Sequence, residues 1–180
     1  MTRLDAGRDA SIIAAVLGGN VDAFAQLVAR YRDAYTRYAV RVLGSKDDAD
    51  DALQSAFVRA YRKLDRCRDP QRFGAWLYQI VINECRTLSA RRDRREQRLV
   101  RAEDQVDATT EIADATVRHE VQRALDQLDA RQREAFVLKH VEELSYDEMV
   151  ELTGVGESAL KMRVQRACER LRHLLEGVYL

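Results

Sequence analysis

Proline and glycine are scarce in this sequence, which has one Pro and eight Gly among 180 residues. Because both residues mark turns between short strands, their scarcity argues against a fold built of many strands. Ala, Arg, Leu and Glu, which favour helices, are abundant. The sequence therefore predicts an all-α fold, with room for one ordinary domain or two small ones.

Metal-ligand spacing is also missing. Cys67, Cys85 and Cys168 form no Cys-x-x-Cys pair, and the three His are equally scattered. Widely spaced cysteines, odd in number, are typical of reduced thiols rather than of a disulfide framework or a zinc site. We therefore expect no metal ion and no other cofactor.

Long apolar runs are absent from the N-terminal part of the chain. The first residues lack the apolar core of a signal peptide, and the early apolar run at residues 12–17 is far too short to span a bilayer. We therefore expect a cytoplasmic protein that does not insert directly into a membrane.

Net charge is lacking too, since 30 Lys and Arg balance 30 Asp and Glu. The balance is a cancellation between segments: residues 1–102 carry a net charge of +7, residues 103–117 of −5 and residues 118–180 of −2. The sharpest basic excess lies in residues 86–101, which contain seven Arg and two acids. A neutral total therefore does not exclude a nucleic-acid partner for one part of the chain.

Helix start and stop signals divide the first hundred residues into predicted helices. These are residues 9–17, 21–43, 46–66 and 70 to about 100. Ser45 is the predicted N-cap of the third helix, and Asp69 followed by Pro70 marks the start of the fourth. Residues 102–117 show acids and no sustained apolar stripe. They predict a flexible linker between a domain at 1–101 and a domain at 118–180.

The end of the chain predicts a helix-turn-helix. Ser145 and Glu148 have the spacing of a capping box, which opens a short helix to residue 152. A turn containing Gly154 follows, and a long helix then covers residues 157–176. A short helix, a tight turn with glycine and a longer helix with a basic surface are typical of this motif.

Helical periodicity orients this last helix. An apolar stripe, predicted to face the core, consists of Leu160, Val164, Ala167, Leu171 and Leu174. The other side and its flanks carry hydrogen-bonding and cationic side chains, which suit base edges and phosphates. They are Ser158, Lys161, Met162, Arg163, Gln165 and Arg166. The pattern leaves open a solvated face on an ordinary three-helix bundle.

A second polar row is predicted on the fourth helix, where Phe73, Trp76, Leu77, Ile80, Val81 and Leu88 form the inward stripe. Its exposed members are Arg72, Gln79, Asn83 and Arg86. A row without acids that continues into an arginine cluster suits a nucleic-acid backbone, although a solvated helix with a basic end is the alternative. Glu84 projects towards the apolar stripe, so we infer that an arginine pairs with it.

Three stretches of the sequence carry a family resemblance. The first is the acidic, Gln-containing segment 48–57, and the second is Phe-x-x-Trp-Leu-x-x-Ile-x-x-Asn from Phe73 to Asn83. The third combines segments 128–134, 144–148 and 161–167. In this order they resemble a bacterial sigma factor of the extracytoplasmic-function type, the class that keeps only the domains called regions two and four.

The resemblance implies a transcription initiation factor that binds core RNA polymerase and directs it to promoter DNA. Region two would read and open the minus-ten element, region four would read the minus-thirty-five element, and an anti-sigma factor would regulate the protein. Met162 stands where the family often has Ser, so the family's promoter preferences do not transfer.

The resemblance also implies roles for particular residues. The polymerase contact falls on the third helix, at Asp48, Asp51, Gln54 and Ser55, although a solvated acidic helix start is the alternative. An unstacked minus-ten base would be held near the loop at residues 66–71. The minus-ten residues are Arg66, Arg68 and Arg72 for phosphates, Gln79 and Asn83 for base edges, and Arg86. Recognition of the minus-thirty-five element falls to the six polar residues of the last helix.

Two other classes of protein remain at this point. A helix-turn-helix regulator would bind duplex DNA without polymerase, and segment 48–57 is the feature that favours a sigma factor over it. A helical enzyme has little support, because the sequence offers no Ser/His/Asp set and no Gly-rich phosphate loop. We therefore expect no catalytic residues.

Neutralising the linker acids is expected to strengthen DNA binding by the free protein. The acidic segment is able to lie against the basic first domain and compete with DNA. The variant replaces Glu103, Asp104, Asp107, Glu111 and Asp114 by their amides, and equilibrium binding to duplex DNA is measured at low salt. An unchanged affinity contradicts the prediction.

Overall fold

The computed structural model describes residues 3–100 and 117–176, and every regular element in these residues is a helix. The α-helices are α1 (Arg3–Leu17), α2 (Phe24–Leu43), α3 (Lys46–Arg62), α4 (Phe73–Val100), α5 (Val117–Asp126), α6 (Ala130–Phe136), α7 (Tyr146–Thr153) and α8 (Glu157–Glu176). Single 3₁₀ turns cover Val21–Ala23, Leu64–Arg66 and Pro70–Arg72, and Val137–Val141 forms a π-helical turn. The predicted all-α class is confirmed, while most of the predicted linker lies outside the described residues.

The chain divides into two compact units. The first consists of Met1–Val40 and Ser45–Cys85, and the second of Arg41–Gly44 and Arg86–Leu180. The second unit thus takes in α4 from Arg86 onwards. The domain boundaries predicted at residues 101 and 118 stay predictions.

Tyrosines of α2 form much of the core of the first unit. The rings of Tyr31 and Tyr35 stack with their centroids 5.5 Å apart, and Tyr35 stacks on Tyr78 of α4 at 5.0 Å. Tyr38 meets the same Tyr78 ring edge-on at 5.0 Å. Such aromatic pairs add about 0.5–1.5 kcal/mol each beyond the area they bury. They hold α2 against the N-terminal half of α4.

The buried face of α4 differs from the predicted stripe. Phe73, Leu77 and Val81 are fully buried as expected, whereas Trp76, Ile80 and Leu88 are only half-buried. The fully buried positions instead include Ile82 and Cys85, with Tyr78 close to them in burial. The inward face is turned towards these residues because the tyrosines of α2 pack on that side.

Two predicted helix starts and ends are shifted by 3₁₀ turns. Asp69 accepts a hydrogen bond from the Gln71 amide at 3.0 Å, which confirms it as a cap, but the turn it opens is 3₁₀ and α4 begins at Phe73. The third helix ends at Arg62 and a separate 3₁₀ turn continues the chain to Arg66. Tight 3₁₀ turns are common at helix ends.

Glu84 has the arginine partner inferred from the sequence. Its carboxylate is buried on α4, and its Oε1 atom lies 2.9 Å from Nε of Arg59 on α3. The contact is an ion pair without the alignment of a good hydrogen bond. A buried carboxylate needs such a counter-charge, so the pair fixes α3 beside α4.

The second unit is built around the apolar stripe of α8. Leu160, Val164, Ala167 and Leu171 are buried and Leu174 is partly buried, which confirms the predicted inward side. Ala124, Leu125 and Leu128 from α5 and its C-terminal end pack against this stripe.

Both ends of α7 follow the sequence prediction. The Oγ atom of Ser145 accepts from the Glu148 amide at 3.2 Å, and the Glu148 carboxylate accepts from the Ser145 amide at 2.8 Å. This reciprocal pair is the predicted capping box. Gly154 ends the helix with a φ of 67°, a left-handed conformation that side chains disfavour, and its amide donates to Val150.

Replacing the capping serine is expected to destabilise α7. Ser145→Ala removes the acceptor for one orphan amide and should cost about 1 kcal/mol of folding free energy. Hydrogen exchange of the α7 amides in the full chain measures the loss. Ser55→Ala, in the middle of α3 and exposed, is the control and should leave those amides unchanged. Equal protection in both variants contradicts the prediction.

The same cap gives a pH dependence with a definite sign. The amide and hydroxyl of Ser145 both donate to the carboxylate and hold the pKa of Glu148 below its ordinary value. A depressed folded pKa stabilises the folded state above the unfolded pKa, and this contribution is lost as pH falls through the folded pKa. The stability difference between the wild type and Glu148→Gln should therefore shrink on acidification, as thermal unfolding at stepped pH will show. A constant difference contradicts the assignment.

Candidate nucleic-acid and polymerase interfaces

The predicted polymerase contact lies on one side of α3. Ser45 caps the helix by accepting from the Asp48 amide at 3.2 Å. Asp51, Gln54 and Ser55 are exposed and Asp48 is half-buried, and the buried side of the helix consists of Ala49, Ala52, Leu53, Ala56, Phe57 and Ala60. The structure therefore brings the four predicted residues together on the solvent side of the first turns.

Two apolar residues that sequence reasoning missed continue this side of α3. Val58 is exposed one turn beyond Gln54 and Ser55, and Tyr61 follows one turn later. The ring of Tyr61 contacts Phe24 of α2 edge-on at 5.3 Å. Val58 and Tyr61 therefore add apolar area next to the exposed polar side chains of α3. The sequence does indicate that both are exposed, because they fall outside the helical spacing of the buried residues of α3.

The loop before α4 combines buried anchors with outward arginines. Leu64 and Cys67 are buried, whereas Arg66, Arg68 and Arg72 are exposed. The Sγ atom of Cys67 lies 3.5 Å from the carbonyl oxygen of Asp69. Burial, together with the charge of Asp69, raises the pKa of the Cys67 thiol, so this side chain acts as an apolar anchor. The three arginine side chains therefore lie on the exposed side of the loop.

The polar row on α4 is partly reproduced within the first unit. Arg72 and Asn83 are exposed and Gln79 is half-buried. Trp76 beside them is half-buried, with its ring 5.7 Å from that of Phe73, so it is neither a full core residue nor a free stacking platform.

Arg86 is engaged within the second unit. Its Nε donates to both carboxylate oxygens of Glu134, at 3.1 and 3.0 Å, and its Nη2 lies 2.8 Å from Oε1. Its Nη1 also donates to the carbonyl of Thr153 at 3.2 Å. The sequence analysis included Glu134 in segment 128–134 but did not predict that it pairs with Arg86. The predicted contact of Arg86 with DNA therefore requires that it leave this carboxylate.

The outward side of α8 carries the predicted recognition residues together. Ser158, Lys161, Met162, Gln165 and Arg166 are exposed and Arg163 is half-buried. Met162 is 51% exposed, although methionine is ordinarily a core residue. The other side of the helix is anchored in the core, so the row has a fixed direction.

Two acidic side chains of α8 contact residues of this row. The Nζ atom of Lys161 lies 2.6 Å from Oε1 of Glu157, one turn earlier, and this carboxylate raises the pKa of Lys161. The amide of Gln165 donates to Glu169 at 2.9 Å. Lys161 also lies 5.4 Å from the ring centroid of Tyr146, the first residue of α7. The charge of Lys161, one of the three cations in the row, is therefore partly balanced by Glu157.

The described part of the chain holds a neighbouring pair of potential metal ligands, Cys168 and His140. The Sγ atom of Cys168 lies 3.6 Å from Nε2 of His140, which makes neighbours of two residues that look unrelated in the sequence. Within residues 3–100 and 117–176, no group of three or more His, Cys, Asp or Glu is placed to hold a metal ion. None of the described helices combines the length and hydropathy needed to cross a membrane.

Comparison with protein families gives two matches. The model of Sigma-70 region 2 matches residues 27–95, and that of Sigma-70, region 4 matches residues 111–171. The chain is 35% identical to the ECF RNA polymerase sigma factor SigM of Mycobacterium tuberculosis, over 93% of this chain and 84% of the relative. It is 29% identical to the ECF sigma factor SigW of Bacillus subtilis, over 89% of this chain and 92% of the relative.

Solved structures agree with these matches. The sigma factor RpoE from Bartonella quintana, solved in complex with the anti-sigma factor NepR, gives a TM-score of 0.67 at 27% identity, covering 85% of this chain and 96% of that one. CnrH, solved with the cytosolic domain of CnrY, gives 0.65 at 34% identity, covering 94% and 97%.

The chain therefore belongs to the extracytoplasmic-function sigma factors, with regions two and four. It is a transcription initiation factor whose partners are core RNA polymerase and promoter DNA. This decides against a helix-turn-helix regulator that acts without polymerase. The family is one of initiation factors and not a known enzyme family.

Removing the partner of Lys161 is expected to strengthen DNA binding. Glu157→Gln frees the ammonium group for a phosphate, so the holoenzyme should bind promoter duplex more tightly at low salt and with a steeper salt dependence. Affinity is measured across a salt series. Asp22→Asn removes the same charge from an exposed position in the first unit and is the control. Identical salt slopes for the two variants contradict the prediction.

Proposed function

We propose that the chain divides promoter recognition between its two regions. Residues 1–101 bind core polymerase and read and open the minus-ten element, and residues 118–180 read the minus-thirty-five element. The observation that carries this proposal is the outward row of α8. It presents hydrogen-bonding and cationic side chains from the second helix of a capped helix-turn-helix, the position from which such motifs read the major groove.

Within that row, different side chains suit different parts of DNA. Arg163, Gln165 and Arg166 have the donors needed for bidentate contacts with base edges, and Lys161 and Ser158 suit phosphates. Met162 supplies an exposed apolar group that fits the methyl group of thymine.

The polymerase contact is proposed for the solvent side of α3. Asp48, Asp51, Gln54 and Ser55 supply acceptors and acidic charge, and exposed Val58 and Tyr61 extend the surface with apolar area. The surface thus offers both charged and apolar contact area, as protein interfaces do.

Opening of the minus-ten element is proposed for the loop before α4. Extraction of a base costs a few kcal/mol in lost stacking, which must be offset by contacts to the displaced strand. Arg66, Arg68 and Arg72 are exposed and suit its phosphates, and Gln79 and Asn83 suit base edges. Arg86 joins them only after release from Glu134.

We also propose regulation by an anti-sigma factor, because the similar RpoE and CnrH were solved with NepR and CnrY. The protein acts in the cytoplasm, where polymerase and promoters are found, and it carries no catalytic site of its own.

Reconstituted transcription tests the proposal as a whole. Purified protein added to bacterial core polymerase is expected to give RNA with defined start sites from genomic fragments that contain its promoters. Failure to give start-site-specific RNA from any genomic fragment contradicts it.

Alanine variants test the assignment of residues on such a promoter. Gln165→Ala and Arg166→Ala should each lower discrimination at single minus-thirty-five positions by about 1–3 kcal/mol, because one base contact is lost. Asn83→Ala should leave this discrimination intact and weaken preference in the minus-ten element. Arg172→Ala, exposed further along α8, is the matched control and should weaken binding alike for all sequences. Base preferences that survive every substitution contradict the assignment.

A further inference from the structure

We propose that α1 positions the loop before α4, and that Asp9 is the positioning residue through which it does so. The proposal rests on the role proposed above for the loop before α4 in opening the minus-ten element. Helix α1 ends at Leu17, before the first residue matched by the region 2 model, so the family match assigns it no task.

Asp9 is a fully buried carboxylate, with 0% of the residue exposed. Its two oxygens are held by neighbouring residues of α2: Oδ1 pairs with the guanidinium of Arg30, and Oδ2 accepts from the hydroxyl of Tyr31. A buried charge is tolerated only with a counter-charge and hydrogen bonds in good geometry. Sliding α1 along α2 would break both contacts, so Asp9 fixes the register of the two helices.

The tyrosine that receives this carboxylate also contacts the start of α4. The ring of Tyr31 meets Phe73 edge-on at 5.7 Å and stacks on Tyr35. The hydroxyl of Tyr35 donates to the carbonyl of Gly74 at 2.7 Å. Phe73 and Gly74 are the first two residues of α4 and directly follow the loop. Asp9 is therefore connected to the end of the loop through the hydroxyl of Tyr31 and the packed rings of Tyr31 and Phe73.

Helix α1 also packs directly against the loop itself. Its neighbours include the 3₁₀ turns Leu64–Arg66 and Pro70–Arg72, at the two ends of the loop. The apolar side of α1, with Ile12, Ile13 and Val16 buried, is part of the core on which these turns rest. Helix α1 therefore packs against the buried side of the loop, while the arginines of the loop are exposed to solvent.

Support of this kind bears on base capture more than on polymerase binding. A pocket for one nucleotide must keep its geometry to within about 0.5 Å, because small misplacements of binding groups weaken their contacts steeply. The proposed polymerase surface lies on α3, whereas the contacts described above from Asp9 to the loop join α1, α2 and α4. A change at Asp9 should therefore separate the two activities.

The experiment uses holoenzyme assembled with the full chain and a promoter found by the transcription assay. The probe is a single-stranded oligonucleotide with the non-template minus-ten sequence, intact or with an abasic site at one position at a time. In the wild type, the affinity ratio of intact to abasic probe identifies the captured base. Affinity for core polymerase and thermal stability are measured in parallel, and all binding is measured below the unfolding transition of every variant.

Asp9→Asn and Tyr31→Phe are expected to lower the intact-to-abasic ratio at that position by about tenfold, the effect of a modest misplacement. Affinity for core polymerase should stay within about twofold of the wild type, since the proposed polymerase surface is untouched. Asp33→Asn, which removes one charge from an exposed position on α2, is the control and should retain both values. If Asp9→Asn does not fold, Tyr31→Phe and Tyr35→Phe decide, because each removes only a hydroxyl.

Two results overturn the inference: a wild-type ratio in the folded variants, or a loss of polymerase affinity that equals the loss in the ratio. The second would mean that Asp9 only stabilises the first unit as a whole. A wild-type holoenzyme that shows no preference for the intact probe contradicts instead the proposed role of the loop. The two failures are therefore distinguishable.

Discussion

The hydroxyl of Tyr35 donates a hydrogen bond to the carbonyl of Gly74, which joins α2 to the first turn of α4. The surfaces proposed to bind partners in the first unit depend on this contact for their placement. Stacking of Tyr35 on Tyr78 and the edge-on contact of Tyr38 add a second turn of contact between the same two helices. These rings occupy one side of α4, and Asn83 lies on its exposed side.

Each helix with a proposed partner contact has to meet the same two structural requirements. It must bury enough apolar area to be held rigidly and yet leave one side free for a larger partner. Helix α3 does so with small alanines and Phe57 on the inner side, and α8 does so with a stripe that begins at Leu160. The ion pair of Arg59 and Glu84 adds an electrostatic contact between α3 and α4 to the apolar packing. A rigid inner side is what gives the outer side a defined geometry.

Local chemistry explains which features the sequence predicted well. The cap at Ser145, the turn at Gly154 and the stripe of α8 each depend on residues within a turn or two, and all were confirmed. Features that depend on distant residues were mostly missed, although an arginine partner for Glu84 was inferred and is present. The rotation of α4 towards Ile82 and Cys85 follows from the tyrosines of α2, and the engagement of Arg86 follows from a carboxylate 48 positions away. The π-helical turn at Val137–Val141 has no sequence signal that we recognise. For the same reason, helical periodicity predicted which polar residues face solvent, but it did not predict the side-chain contacts that restrain them.

The unequal environments of the three thiols have a practical consequence. Cys67 and Cys85 are enclosed in the first unit, and Cys168 lies half-exposed on α8 next to the imidazole of His140. A maleimide dye added to the native protein should therefore attach at one place, without any engineered cysteine. That place is on the helix proposed to enter the DNA groove, two residues beyond Arg166. The natural sequence thus offers a single attachment site for a fluorescent dye that follows promoter binding in real time.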